Sequence, residues 1–197
     1  MQLIRRIRVE PEATKGSRFI ATAIPVTDEH AAKAALAGLR AEMPDATHHC
    51  SAWRLAAPNL ERANDDGEPG GSAGRPILAQ LQGRDLFNVA VIVTRYYGGT
   101  KLGVGGLVRA YGSAAAAALD AAATEPYVPK LALRVVHGYP ESSDVERALT
   151  EVGATELSAD YASDVRRCVE VAVDREQALR VGIRDATRGR ARIERLD

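Results

Sequence analysis

A chain of 197 residues with 46% apolar and 26% charged content has the make-up of an ordinary soluble globular protein, long enough for one domain or two modest ones. Its 26 Lys/Arg and 26 Asp/Glu cancel, which excludes a global attraction to nucleic acid or membrane and leaves any polyanion site to local clustering. No apolar run reaches the length of a signal peptide or a membrane span, and the two cysteines, Cys50 and Cys168, lie far apart, so both are expected as reduced thiols in the cytoplasm.

Residues 1–17 read as a strand or arm ending in Lys15-Gly16-Ser17, and 18–25 as a strand stopped by Pro25. Thr27 or Asp28 can cap a helix that runs to Met43 with Ala32, Leu36 and Leu39 on one face. A second strand spans 46–55, and 56–71, rich in Pro, Asn, Asp and Gly, is a loop. A helix over 72–82 follows, with Ser72 or Gly74 near its cap, Pro76 in its first turn and Ile77, Leu78 and Leu81 inward. The run 89–94 is apolar throughout and β-branched in most positions, as suits a strand buried on both faces. Residues 98–106 form a glycine-rich loop, and 107–123 a long helix whose small face, Ala114 to Ala118, demands a close neighbour. The stretch 125–129 contains two prolines and reads as a linker. Beyond it come strand 131–136, helix 141–152, strands 155–161 and 165–173, helix 175–187 and strand 190–195, the βαββαβ order of a ferredoxin-like domain.

The middle of the chain carries the candidate chemistry. Gly70-Gly71-Ser72-Ala73-Gly74 has the letters of a G-x-S-x-G nucleophile elbow but is preceded by an acidic loop, where the elbow needs a strand. The same residues suit an anion cradle: Gly71, Ser72 and Gly74 open a helix whose first N–H groups can face a phosphate, and Arg75 adds a cation. Alternatively, Arg75 pairs with Asp65, Asp66 or Glu68. Those acids could hold Mg²⁺, although acids around a glycine are also plain turn chemistry. His48-His49-Cys50 falls short of a zinc site, because strand alternation separates its members and His30 and His137 lie on other elements. A Cys-His nucleophile pair there lacks an orienting partner.

Arg95, Tyr96, Tyr97, Lys101 and Arg109, with Tyr111 close by, interleave cations and aromatics around flexible glycines, a combination that stacks bases and contacts phosphates. From 83 to 112 there are four basic residues against one acid, so this region is locally basic. Nucleotide fingerprints fail: Val108 stands where G-x-G-x-x-G needs glycine, and no G-K-[ST] follows Gly98. From residue 131 on, 11 arginines face 13 acids, and only Arg188, Arg190, Arg192 and Arg195 suggest a weak secondary contact surface.

Two long blocks, residues 65–76 (DDGEPGGSAGRP) and 94–103 (TRYYGGTKLG), together with KGSRFI at 15–20 and ATHHC at 46–50, resemble the IMPACT/YigZ family. The resemblance implies a first domain like a βα sandwich found in a ribosomal small-subunit protein and in domain four of elongation factor G. It implies a ferredoxin-like second domain like domain five of that factor. Eukaryotic members regulate translation initiation through a partner-binding domain that this sequence lacks. The expectation is therefore an α+β protein of two domains, 1–125 and 131–197, joined by a linker at 126–130. Its expected role is a non-catalytic, monomeric, cytoplasmic binder of RNA or the ribosome, in translation or its regulation, without cofactor, metal or membrane association. The expected RNA contacts are Arg95, Tyr96, Tyr97, Lys101 and Arg109, with Gly71, Ser72, Gly74 and Arg75 receiving a phosphate. A phosphate- or nucleotide-binding enzyme using the same glycine-rich loops, or a protein-binding module anchored by the tyrosines, are the alternatives.

Overall fold

The computed structural model describes residues 1–196 and divides into two compact units, Met1–Tyr127 and a second from Val128 on. In chain order the first unit holds β1 (Gln2–Leu3), β2 (Ile7–Val9), β3 (Arg18–Pro25), α1 (Glu29–Glu42), β4 (His48–Leu55), β5 (Leu60–Asn64), α2 (Gly74–Gly83), β6 (Val89–Tyr96), α3 (Val104–Asp120) and β7 (Thr124–Glu125). The five-stranded sheet has the order β2-β3-β6-β4-β5, every neighbouring pair antiparallel. Strand β6 lies at its centre and is apolar on both faces because both are covered. Val89, Val91 and Val93 meet α2 and α3, while Ala90 and Ile92 meet α1. Burying a side chain such as Ile92 from water contributes about 1.5–3 kcal/mol.

Helix α1 begins where Asp28 accepts a bond from the Ala31 N–H at 2.8 Å, and it buries Ala32 and Leu39. Helix α3 buries Ala110, Ala114, Ala115 and Ala118. Its Gly112 faces Pro76 and Gln80 of α2, so small side chains let the two helices lie close. Among the described residues no helix is long and apolar enough to cross a membrane.

Three boundaries differ from the sequence expectation. Part of the loop expected over 56–71 is strand β5, an edge strand that lies against β4. Helix α3 starts three residues earlier than expected, at Val104, because the Leu107 N–H reaches the Gly103 carbonyl at 2.9 Å and takes Gly105 and Gly106 into the first turn. It ends at Asp120, and the next residues turn into β7, which pairs with β1.

The second unit holds β8 (Lys130–His137), α4 (Ser142–Glu151), β9 (Thr155–Tyr161), β10 (Val165–Ala172), α5 (Glu176–Thr187) and β11 (Arg192–Leu196). Its sheet order is β11-β8-β10-β9, antiparallel throughout, with Leu133, Val135, Val169 and Val171 packed against Val145, Leu149, Leu179 and Ile183. This is the ferredoxin-like arrangement. Strand β8 begins at Lys130, the last residue of the expected linker. The C-terminal arginines do not form one surface. Arg190 pairs with Glu141 and Arg195 with Glu176, whereas Arg188 sits in a left-handed conformation at the end of α5 and Arg192 lies on β11.

Candidate functional site: a cleft at the start of helix α3

The loop after β5 carries three carboxylates that go to three different places. Asp65 accepts from the N–H groups of Gly71, Ala73 and Gly74 at 2.8, 2.9 and 2.8 Å and so caps α2 from outside the helix. Burial alone would raise its pKa; the three backbone bonds outweigh that and hold it below the ordinary carboxylate value. Asp66 accepts from the His49 N–H at 2.6 Å and pairs with Arg40 of α1. The buried Glu68 accepts from Arg95 Nη1 at 2.6 Å and from the Tyr111 hydroxyl at 2.7 Å. The acids thus tie α2, α1 and the β6–α3 region to one loop. Among the described residues no group of three or more His, Cys, Asp or Glu is placed to hold a metal ion.

The phosphate expected on Gly71, Ser72, Gly74 and Arg75 is corrected by Asp65. The donors at this helix end already bind an anion, and it belongs to the chain. Gly74 serves packing here, since a Cβ on it would lie 2.5 Å from the Asn64 nitrogen. Ser72 is buried with an unbonded Oγ, which also removes the nucleophile-elbow reading. Arg75 is exposed and makes no ion pair within 4.0 Å with any described residue, so the alternative pairing with Asp65, Asp66 or Glu68 is also absent.

Strand β4 alternates as its sequence requires. His49 faces α1, and burial lowers its pKa. His48 and Cys50 face the other way, with His48 Nδ1 2.7 Å from the Asp66 carbonyl and Cys50 Sγ donating to the Asp65 carbonyl at 3.0 Å. Burial pushes the Cys50 thiol up to about 12, so it stays protonated at neutral pH and is not a nucleophile.

Arg95 and Tyr96 leave the expected set of RNA contacts, each for a physical reason. Arg95 continues the inward face of Val91 and Val93; it is 5% exposed, ion-paired to Glu68 and bonded to Ser17 Oγ at 3.2 Å. Its cation is therefore neutralised inside the fold. Tyr96 falls on the α1 face, where its hydroxyl donates to Asp45 at 3.2 Å and the Arg18 guanidinium lies over its ring. Tyr97, 45% exposed, and the exposed Lys101 remain at the surface, and both line a cleft of about 340 Å³. Glu68 and Arg95 also line this cleft, and Leu102 and Val104 form apolar wall. Arg109 lies one groove away, beside Lys15, in a hollow of about 220 Å³ that shares Leu102.

The wall formed by Gly103 and Val104 is the N-terminus of α3. The contrast with α2 is chemical. Asp65 supplies the anion at the start of α2, whereas α3 has no side-chain cap and no acid in its first turn. Its first N–H groups lack intrahelical partners, and a positive helix end surrounded by cations is electrostatically unfavourable without an anion. Lys101 shares the cleft with it, Lys15 and Arg109 line the adjoining hollow, and none of the three makes an ion pair within 4.0 Å with a described residue. Glu12 is the acid of the neighbouring hollow and is likewise unpaired. Lys15 and Ser17 were missing from the sequence-based site. Their signal was the Lys15-Gly16-Ser17 turn, where Lys15 and Gly16 take φ of 48° and 80°. Larger depressions, about 810 and 700 Å³, lie in the second unit. The first is lined by Arg167 and Glu146, which pair with each other, and neither combines free cations with an aromatic side chain.

The family model described as the Impact N-terminal domain matches residues 15–119, which contain the acidic loop, the cleft and α3. The chain is 36% identical over 181 residues to the IMPACT family member YigZ of Escherichia coli (strain K12), covering 90% of this chain and 89% of that protein. It is 37% identical over 100 residues to the protein IMPACT homolog of Saccharomyces cerevisiae, covering 48% of this chain and 38% of the yeast protein. A crystal structure of a hypothetical protein superposes with a TM-score of 0.76 at 33% identity, covering 99% of this chain and 96% of the other. A match through the residues that build the cleft, joined to similarity along nearly the whole chain, places this protein in the IMPACT family.

Proposed function

We propose that this chain is a non-catalytic, cytoplasmic RNA- or ribosome-binding protein that acts in translation or its regulation, and that it binds through the start of α3. The observation that carries this reading is the set of three unpaired cations in two adjoining hollows, Lys101 and the exposed Tyr97 beside an uncapped helix N-terminus and Lys15 and Arg109 in the next. Phosphate oxygens supply the missing counter-charge, and a tyrosine face stacks on any base. Membership of a family with a yeast IMPACT homolog supports a role in translation.

Three contacts favour the binding reading over the enzyme alternative. Asp65 occupies the N–H groups of the expected phosphate cradle, Asp66 pairs with Arg40, and Glu68 pairs with Arg95. Cosedimentation of the full chain with ribosomes and with total RNA tests the proposal. Binding is expected at low salt, to weaken as salt rises, and to fall at least about tenfold in Lys101→Ala/Arg109→Ala. Binding to neither at low salt overturns it; binding to ribosomes that survives nuclease and is unchanged in the double variant favours the protein-binding module.

A further inference from the structure

The second unit covers one face of its sheet with α4 and α5 and leaves the other open. Leu133, Val135, Val169 and Val171 pack toward the helices, so the residues that alternate with them along β8 and β10 face away. Strand register sets this open face out in rows from β11 to β9. One row is Arg192, Val136, Arg166, Asp160, and the next is Glu194, Arg134, Cys168, Ser158. A third is Leu196, Ala132, Glu170, Thr155, and in a fourth Lys130 stands beside Ala172. A depression of about 700 Å³ lies over the first two rows.

The charges on this face are ordered. Lys130 pairs with Glu170 at 2.8 Å, and Arg134 lies 3.9 Å from Glu194. Arg166, Arg192, Asp160 and Asp164 line the depression and make no ion pair within 4.0 Å among the described residues. Cations and carboxylates balance, so the face offers a polyanion no net attraction. Its two edges differ: Arg192 stands on edge strand β11 and Asp160 on edge strand β9.

We propose that this face docks on the same face of a second copy, in a two-fold dimer whose axis runs along the strands between β8 and β10. Sheets packed face to face keep their strands within about 30° of each other. The rotation lays β11 over the partner's β9 and β8 over the partner's β10. Arg192 then meets the partner's Asp160, and the symmetry makes that contact twice. In each central row a long side chain meets a short one: Arg166 faces the partner's Val136, and Arg134 the partner's Cys168. Glu170 likewise faces Ala132, and Lys130 faces Ala172. Charges covered by the contact stay compensated, as buried charges must, because Asp160 stands between the partner's Arg192 and its own cross-strand neighbour Arg166. An axis across the strands instead lays each edge on its own copy and brings no Arg192 to an Asp160. The face thus supplies both the charge order and the alternation of long and short side chains that its partner needs. About 20 Å by 20 Å from strand spacing and rise, it belongs with small interfaces, whose association is weak and concentration-dependent.

Sedimentation velocity of the full chain from about 5 µM to about 1 mM tests the proposal. Wild type is expected to pass from monomer to dimer over this range. Arg192→Asp and Asp160→Arg are each expected to raise the dimer Kd at least about tenfold, since each sets like charges together twice. An equimolar mixture of the two variants, and the double variant Arg192→Asp/Asp160→Arg, are expected to associate as wild type does. Both residues are exposed and unpaired, so thermal melts of the single variants should match wild type. Val136→Arg, which sets a cation against the partner's Arg166, is expected to abolish the dimer independently of that pair. A wild type that stays monomeric throughout overturns the proposal. So does a dimer that all three single variants leave unchanged, which would place the contact on another surface. Weakening that neither the mixture nor the double variant reverses also overturns it.

Discussion

Glu68 takes two donors on one oxygen inside the fold, and the arrangement is stable only as a unit. The Arg95 guanidinium neutralises the carboxylate, Tyr111 adds a second bond at 2.7 Å, and Phe19 meets Tyr111 edge-on with ring centroids 5.2 Å apart. Removing one charge of a buried pair leaves the other without compensation, and such losses run to about 3–5 kcal/mol. Arg95→Ala is therefore expected to lower the unfolding free energy by about that much, read from a urea melt, with Tyr111→Phe costing about 1 kcal/mol. An Arg95→Ala protein as stable as wild type would mean that the pair is not buried as described. An Arg95 variant therefore mixes any binding effect with a folding effect, and the candidate site is better probed at Lys101, Arg109 and Tyr97.

Helix α3 and the loop before it hold their place by backbone contact. A Cβ on Gly98 would lie 1.9 Å from the Gly16 carbonyl carbon, and the Ser17 hydroxyl accepts from the Gly98 N–H at 3.2 Å. Gly99 has a positive φ of 83° but nothing within 4 Å of a Cβ. Gly98→Ala is expected to cost about 3 kcal/mol by overpacking, and Gly99→Ala about 1–2 kcal/mol from its left-handed backbone alone. Urea midpoints of the two variants compare them; equal losses would remove the close contact as the reason for glycine at 98. This pairing of two glycines 82 positions apart (98 − 16) is invisible to local sequence patterns. The elements that were legible are those with strong periodicity: the doubly buried β6, the helices with apolar stripes and the βαββαβ order. Strand β5, Leu60-Glu61-Arg62-Ala63-Asn64, was not, because it is an edge strand with little apolar content. The early start of α3 was hidden by Gly105 and Gly106, which read as loop. At the site, Lys101, Arg109 and Tyr97 were readable from composition. The inward turn of Arg95 followed from its alternation with Val91 and Val93, but a charged residue at a strand end reads as surface.

At the scale of the whole molecule, zero net charge makes the salt dependence of binding a local probe. A protein without an overall field has no long-range attraction to mask the contacts, so the slope counts the cations that meet phosphates. Each phosphate neutralised on a single strand contributes about −0.7 to the slope of log K against log salt, so Lys15, Lys101 and Arg109 together predict about −2. Lys101→Ala/Arg109→Ala leaves one of the three and is expected to flatten the slope to about −0.7. The second unit provides the contrasting outcome. Arg166 and Arg192 line a depression on its sheet and make no ion pair within 4.0 Å among the described residues. If RNA binds but the double variant keeps the wild-type slope, the phosphates are met by cations such as these, and the start of α3 is not the contact surface. A slope that flattens by two phosphates assigns the binding to the first unit, because only the residues changed there have been removed.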